Sequence, residues 1–387
     1  MAPDDSSNSH RELMRLAIEE AQRAKGSTHP NPMVGCVILR DGEIAATGYH
    51  AGPGRAHAEV DALEALDGSA EGCDVYVNLE PCCHHGRTAP CTDALLEAGV
   101  DRVFVGVIDP DPRVSGEGVR RLEERGVEVV EGVLEEESRR VNKAYFKYMT
   151  EGLPWVSAKF AMTLDGKIAT RTGDAAWVTG ERARRRVHEL RDFYDGIMVG
   201  TGTLKSDNPR LTARIEGGRD PKRIVLDTRL AASLDSNVYL GDVDDEESIP
   251  ETFVAVGREA VDDPEIARRA ETLRERGVEV LEIETDANGL LSLDPLLESV
   301  ADSGIVRLFV EGGGRLIGSM FDAGHIDRVY AFVAPKLVGG GDAPGPNDGA
   351  GVAAMADAME LVEPTFERIG ADFLISGDLR RSEPSES

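Results

Sequence analysis

Long hydrophobic runs are missing. The longest span about six to eight residues, against the roughly 20 that a membrane helix needs, so a membrane span is excluded. Lysine is scarce, with eight residues against 35 arginines, and these 43 bases face 71 acids for a net charge of −28. A chain so short of positive charge repels polyanions. That argues against nucleic acid and anionic membrane surfaces as partners, because both bind through a basic footprint; a small phosphorylated ligand held by a few local arginines stays compatible. Cysteine is sparse too: five is too few and too odd a number for a disulfide scaffold, which leaves buried thiols or metal ligands in a reducing compartment. The opening MAPDDSSNSH lacks the basic and apolar segments of a secretory signal, and the expected compartment is the cytoplasm. An acidic excess spread along the whole chain fits work in strong salt, where self-repulsion is screened.

What is present is alternation. A length of 387 residues predicts two domains at roughly 100–200 residues each. Leu13, Leu16, Ala17 and Ala21 fall at helical spacing within 11–25. Two apolar runs, 33–39 and 44–49, flank Asp41-Gly42 and read as a hairpin. Helices near 57–66, 92–98 and 116–125 then alternate with strands near 75–79, 103–108 and 127–130, the pattern of an α/β layer. A charged stretch at 135–140, leading through a short helical stretch to Gly152-Leu153-Pro154, marks a boundary. Beyond it, strands near 155–161, 196–200, 223–226, 253–256, 278–283, 307–311 and 329–333 are interspersed with helices near 181–191, 263–276 and 315–323. We expect an α/β domain over 1–150, a second over 151–380 and a disordered polar tail at 381–387.

The first chemically loaded segment is His57-Ala58-Glu59, followed by Pro81-Cys82-Cys83-His84-His85-Gly86-Arg87-Thr88-Ala89-Pro90-Cys91. One imidazole and two thiolates make three zinc ligands and leave a fourth position for water, as catalytic sites do. The metal lowers the pKa of bound water towards about 7, and a carboxylate two residues after the ligand histidine, here Glu59, can shuttle protons. The alternative is a closed structural site with Cys83, His84 or His85 as fourth ligand. Cys36 and Cys73 read as packed thiols.

This arrangement resembles the zinc-dependent nucleobase deaminases, whose H-x-E…P-C-x-x-C pattern matches at His57, Glu59, Pro81 and Cys82. Eight residues rather than two separate Cys82 from Cys91. That spacing, with HPNPMVGCVI and GYHAGPGRAHAE upstream, is similar to one branch, the bifunctional deaminase/reductase of riboflavin biosynthesis. The resemblance implies a cytidine-deaminase-like α/β/α domain over 1–150, with His57, Cys82 and Cys91 holding Zn²⁺ and Glu59 moving protons. It also implies a diaminopyrimidinone substrate with a 5-phosphoribosylamino group, converted to the corresponding uracil. Asn31, His84, His85 and Arg87 are the candidates for holding base and phosphate.

The second domain carries KFAMTLDGKIA at 159–169, Trp177-Val178-Thr179, His188-Glu189-Leu190-Arg191 and VGTGTLKSDNPRLTAR at 199–214. These motifs resemble the reductase half of the same family, in the same order, which implies a dihydrofolate-reductase-like α/β fold using NADPH. Glu311-Gly312-Gly313-Gly314 ends a strand, and glycines at a strand-to-helix turn let N–H groups approach phosphate. Alone, such a turn more often just closes a βα unit, and no G-x-G-x-x-G supports a Rossmann reading. By resemblance, cofactor contacts fall on Ala161, Trp177, Thr203, Asp207 and Thr228, and on Gly313, Gly314, Arg315, Leu316, Ile317, Gly318 and Ser319. Substrate contacts fall on Ala175, Arg191, Leu211, Arg214 and Glu311. Two arginines suit a sugar phosphate, because the guanidinium fork donates bidentate bonds. Ala175 stands where many family members have Ser, so a side-chain hydrogen bond there is absent. Lys159, Asp207 and Glu311 are the catalytic candidates for protonation and positioning as ribosyl is reduced to ribityl.

Two other readings stay open: a zinc deaminase with a different nucleobase target, and a non-catalytic zinc-stabilised binding protein. The expected partner is a small phosphorylated pyrimidine, with a homo-oligomer, dimer or tetramer, compatible.

Overall fold

A computed structural model describes residues 5–84, 89–240 and 250–380. The chain divides into two compact units, Met1–Gly152 and Leu153–Ser387. Residues 381–387, read above as a disordered tail, lie outside the described residues.

The first unit runs α1 (Asp5–Gln22), β1 (Gly35–Arg40), β2 (Glu43–Tyr49), α2 (Ala58–Glu64), β3 (Asp74–Leu79), α3 (Cys91–Ala98), β4 (Arg102–Val107), α4 (Glu117–Glu123), β5 (Glu128–Val130), α5 (Glu135–Val141) and α6 (Lys143–Glu151). Its sheet has the order β2-β1-β3-β4-β5. The hairpin between β1 and β2 turns at Asp41 (φ 52) and Gly42 (φ 83), both in the left-handed region that a tight two-residue turn requires. Alternation along the strands sends Cys36, Ile38, Val75 and Val77 to one face, packed with Ala62, Leu95 and Leu122 from α2, α3 and α4. Val37, Tyr76 and Phe104 go to the other face, against Met14, Ala17 and Ile18 of α1. The result is a sheet between two helical layers.

One glycine matters for the site. A Cβ on Gly48 would lie 2.4 Å from the Ala58 carbonyl oxygen, so only glycine lets α2 sit this close to β2. That contact fixes the start of α2, where His57 and Glu59 stand.

The second unit runs β6 (Trp155–Thr163), α7 (Glu181–Phe193), β7 (Gly196–Gly200), α8 (Thr201–Asp207), β8 (Lys222–Leu226), β9 (Thr252–Gly257), α9 (Pro264–Glu275), β10 (Glu279–Ile283), α10 (Leu293–Asp302), β11 (Arg307–Glu311), α11 (Gly314–Asp322), β12 (Arg328–Ala334), β13 (Leu361–Ile369) and β14 (Asp372–Leu379). The sheet order is β10-β9-β8-β7-β11-β6-β12-β14-β13. Strands β6 to β12 pair in parallel, and only the terminal β13–β14 hairpin is antiparallel to its neighbours. Ala183, Val187, Ala270 and Leu273 of α7 and α9 cover one face. Leu296, Val300, Ile317 and Met320 of α10 and α11 pack on the other.

Four elements were absent from the sequence reading. Helix α8 hides in the Gly/Ser-rich GTGTLKSD, and α10 carries Pro295 in its first turn, where proline is tolerated rather than disruptive. Strand β13 escapes because Pro364 and a run of exposed positions break the period of two, and β14, which pairs with it, was not read either.

Candidate active sites

In the first unit, β2 and β3 deliver their C-terminal ends to one edge, and α2 and α3 begin there. His57 is the residue before α2, in extended conformation (φ −73, ψ 162), and Cys91 is the first residue of α3. Cys82 lies on the loop leaving β3. The His57 Nδ1 atom is 3.2 Å from Cys91 Sγ and 3.5 Å from Cys82 Sγ, and the Cys91 N–H donates to Cys82 Sγ over 3.4 Å. All three donor atoms lie within 4.8 Å of one another. One nitrogen and two sulfurs at this spacing fit zinc, and no fourth His, Cys, Asp or Glu joins the group among the described residues. Cys83 turns its Sγ towards the Arg113 carbonyl, 3.7 Å away and outside the group.

Glu59, in the first turn of α2, is buried. Burial, then the charge of Cys82, raises its carboxyl to about 7, while His57 opposes the shift. Of the two thiols Cys82 is the more acidic, drawn down to about 4 by the Cys91 hydrogen bond against its own burial, with His57 assisting. Cys91 is pushed up by the same bond and by burial.

Several supporting residues went unnoticed in the sequence. Glu80, directly before Pro81, is buried and accepts the N–H groups of Asp109 (3.2 Å), Gly116 (2.9 Å), Gly118 (2.8 Å) and Val119 (3.2 Å), pinning the cysteine loop to the start of α4. Asn142 accepts the Met33 N–H at 2.8 Å, and Asn142 and Asn78 both donate to the Met33 carbonyl, at 2.8 and 3.2 Å. They hold the HPNPM segment that carries Asn31. Asn31 Nδ2 is 3.1 Å from His50 Nε2, and His50 Nδ1 is 3.0 Å from the Ala56 carbonyl, so His50 carries its proton on Nδ1. Its ring meets that of His57 edge-on at 5.3 Å. His84 keeps a buried Nδ1 without a hydrogen-bond partner. His85 and Arg87 lie outside the described residues.

In the second unit, the β6–β11 register sets Lys159 beside Glu311. Arg191 of α7 donates from Nε and Nη2 to the two Glu311 oxygens at 2.7 and 3.1 Å, and Lys159 Nζ lies 3.5 Å from Glu311 Oε2. Burial pushes the Glu311 carboxyl up, but Arg191 and then Lys159 outweigh it and bring it to about 2. Arg191 also donates to the Thr212 carbonyl at 3.0 Å. Its fork is therefore occupied by the chain itself. Arg214 is exposed, at φ 50.

The other carried-over positions scatter. Leu211 has its side chain in the core, whereas Ala175 is exposed. Trp177 is exposed with the Arg184 guanidinium 4.5 Å from its ring centroid. Ala161 lies on β6; Thr203 and Asp207 lie on α8, where Asp207 accepts the Ser206 hydroxyl at 2.7 Å. The Thr228 carbonyl accepts the Gly257 N–H at 3.0 Å. Around α11, nothing lies within 4 Å of a Cβ placed on Gly313, and the helix start carries no side-chain cap, an open cradle suited to an anion. Gly314 and Gly318 differ. A Cβ there would strike Asp348 Oδ2 at 2.3 Å and the Gly349 nitrogen at 2.3 Å, so these glycines admit the chain's own loop. Ile317 is core; Arg315, Leu316 and Ser319 are at least partly accessible.

Comparison with known proteins places this geometry in a family. Residues 154–375 match the family model of the RibD C-terminal domain, and residues 7–107 match the cytidine and deoxycytidylate deaminase zinc-binding region. The chain is 42% identical to the riboflavin biosynthesis protein RibD of Actinobacillus pleuropneumoniae, over 94% of each chain. It is 36% identical to that of Escherichia coli, over 93% of this chain and 96% of the other. Among solved structures, a deaminase/reductase from Thermotoga maritima matches with TM-score 0.81 and 33% identity, over 97% of this chain and 100% of the other. Acinetobacter baumannii RibD matches with TM-score 0.83 and 31% identity, with the same coverage.

Proposed function

Because this chain belongs to the RibD family, the bifunctional zinc deaminases and NADPH-dependent reductases of riboflavin biosynthesis, we propose that its first unit, 1–150, deaminates 2,5-diamino-6-(5-phosphoribosylamino)pyrimidin-4-one and its second, 151–380, reduces the ribosyl group of the resulting uracil to ribityl. The observation that carries the reading is the convergence of His57, Cys82 and Cys91 beside the buried Glu59. His57, Cys82 and Cys91 would hold zinc, which supplies a Lewis acid and a nucleophile available at neutral pH. Glu59, poised at about 7, takes one proton from the attacking water and gives it to the ring nitrogen, then takes the second from the hydroxyl of the resulting adduct and gives it to the departing ammonia. His50 and Asn31 form one wall of the site, and His84 offers an unpartnered ring nitrogen to the base or its phosphate.

In the second unit NADPH supplies the hydride. Glu311, held ionised at about 2, serves as a positioning anion rather than an acid. Lys159, touching the same carboxylate, is the proton-bearing group next to it and our choice of donor. Arg214 is the better phosphate ligand of the two arginines, since Arg191 is committed to Glu311.

The chain works in the cytoplasm as a homo-oligomer, without nucleic acid or membrane partners, and its acidic surface suits strong salt. A coupled assay tests the enzymology: ammonia release from the diaminopyrimidinone phosphate, then NADPH oxidation. Ammonia release with no subsequent oxidation would remove the second reaction from this chain. Melting temperature measured against KCl tests the salt reading, which equal stability at low and molar salt would overturn.

A further inference from the structure

We propose that His188 completes a phosphate subsite in the second unit: as the substrate's phosphomonoester dianion settles beside Arg214, His188 Nε2 takes up a proton from solvent and the imidazolium donates to a phosphate oxygen. The inference rests on the reductase reading above and supplies what that reading lacks, a second phosphate ligand, since Arg191 spends its fork on Glu311. His188 stands one turn before Arg191 on α7, and both side chains reach the same carbonyl. His188 Nδ1 lies 3.2 Å from the Thr212 oxygen, and Arg191 Nη1 donates to that oxygen at 3.0 Å. A carbonyl only accepts, so Nδ1 carries the ring's proton. Nε2 keeps its lone pair and has no hydrogen-bond partner among the described residues. The backbone that presents Thr212 is strained: Leu211 (φ 61) and Arg214 (φ 50) are both left-handed without being glycine, and the Ala213 N–H between them donates to Asp220 Oδ1 at 2.7 Å. Strain retained in this way marks functional segments, and this one brings Thr212 and Arg214 to α7.

The charges select an anion as the occupant. Cations gather here from three elements: Arg191 from α7, Arg210 and Arg214 from the loop after α8, and Lys159 from β6. The carboxylates among them are Glu311 of β11 and Asp220, and both are engaged, Glu311 by Arg191 and Lys159, Asp220 by the Ala213 N–H. Glu189, next to His188 in sequence, pairs with Arg185 and Arg186 instead. On a chain of −28 such a local excess of positive charge is unusual, and it suits a dianion better than a neutral hydroxyl. Without an anion the imidazole stays neutral. Burial lowers its basicity, Arg191 and then Arg214 lower it further, and the Thr212 bond and Glu311 offset only part of this. A phosphate reverses the balance, because two negative charges beside the ring favour the imidazolium. A fixed cation at this position would repel both arginines whenever substrate is absent; a titrating one does not.

Ribose 5-phosphate, the phosphosugar portion of the substrate, is the probe, bound to the full chain and followed by calorimetry. A phosphomonoester has its second pKa at about 6, so above pH 7 it is almost wholly dianionic and its own titration drops out. Binding to the wild type should weaken from about pH 7 to 9, by up to about tenfold per pH unit, as the extra proton becomes harder to acquire. His188→Asn keeps a donor for the Thr212 carbonyl and lacks the distal nitrogen. It should bind about tenfold to a hundredfold more weakly at pH 7 and lose the slope. His188→Gln cannot titrate either and should give the same flat profile, so it decides if the Asn variant fails to fold. Binding by the first unit is common to wild type and variants and cancels in the difference. A variant that keeps the wild-type slope, or a wild type with none, overturns the proposal. With the deaminated substrate and NADPH, either variant should raise KM and leave kcat close to wild type; an unchanged KM overturns the subsite. Failure of the reductase reading shows separately, as a wild type that oxidises no NADPH, and ribose 5-phosphate binding then still upholds or overturns the role of His188.

Discussion

Of the two carboxylates at the candidate sites, Glu59 is buried and Glu311 nearly so, yet one is raised to about 7 and the other held at about 2. Burial disfavours the anion in both. The difference comes from neighbours: Glu59 stands beside thiols, Glu311 between an arginine and a lysine. The first is therefore suited to carry a proton near neutral pH, and the second is a fixed charge. The sites also differ in reach. The candidate metal donors lie between residues 57 and 91 and are aimed by two helix starts, whereas Lys159, Arg191 and Glu311 meet only through sheet register and one helix.

The largest effect should follow from removing a zinc donor. Cys91→Ala is expected to lose bound metal and abolish ammonia release, while NADPH-dependent reduction of the deaminated substrate stays close to wild type. Metal analysis with the two assays run separately checks this, and parallel loss of both reactions would break the contrast between two independent sites. Glu59→Gln comes next. It should keep its zinc and lower ammonia release about 10²–10⁴-fold, the usual worth of a positioned acid–base group. Turnover within tenfold of wild type would show that the proton takes another route.

How much of this could be read from the sequence follows the same division. The cluster of His57, Cys82 and Cys91 was legible because residue type, spacing and the neighbouring Glu59 all sit in short motifs. Glu80 was overlooked although it adjoins Pro81: its four backbone partners include Asp109 and residues of the α4 turn, which only folding brings near. Arg191 was read as a phosphate ligand, and nothing local reveals that its fork faces Glu311, 120 residues away. Likewise Gly314 and Gly318 looked like a phosphate loop, while the loop around Asp348 that fills their space lies far along the chain. Alternation placed most strands and helices; it failed at β13, where an exposed edge has no apolar period to show.

Glu311→Gln sharpens the comparison on the fixed-charge side. It leaves the buried Arg191 and the partly buried Lys159 without their anion, an omission worth at most about 3–5 kcal/mol, the range of fully buried pairs. Because Glu311 is depressed, its contribution is present above the ordinary carboxylate range and disappears as pH falls towards about 2. The variant's second unit should therefore unfold at lower denaturant at pH 7, with a gap from wild type that narrows in acid. A constant gap from pH 7 to 3 would show that shape, not charge, is what was lost.

A smaller effect of opposite sign is expected in the first unit at Asp109. This buried residue follows β4, and its Oδ1 accepts the Tyr145 hydroxyl at 3.0 Å and the Asp111 N–H at 2.9 Å. Burial pushes its carboxyl up to about 6 in spite of those bonds. The folded chain thus holds the proton more tightly than the unfolded one. Its favourable contribution is complete below the ordinary Asp range and is lost as pH rises through about 6, leaving a cost on the order of 1–3 kcal/mol at pH 8. Asp109→Asn keeps an acceptor oxygen for Tyr145 and removes the charge, so amide exchange along β4 should slow relative to wild type at pH 8. The advantage should vanish by pH 4, where the wild-type carboxyl is already neutral. The two units would then lose stability in opposite directions of pH, the first as it rises and the second as it falls. An Asn variant equally stabilised at both pH values would assign the gain to packing and cancel that opposition.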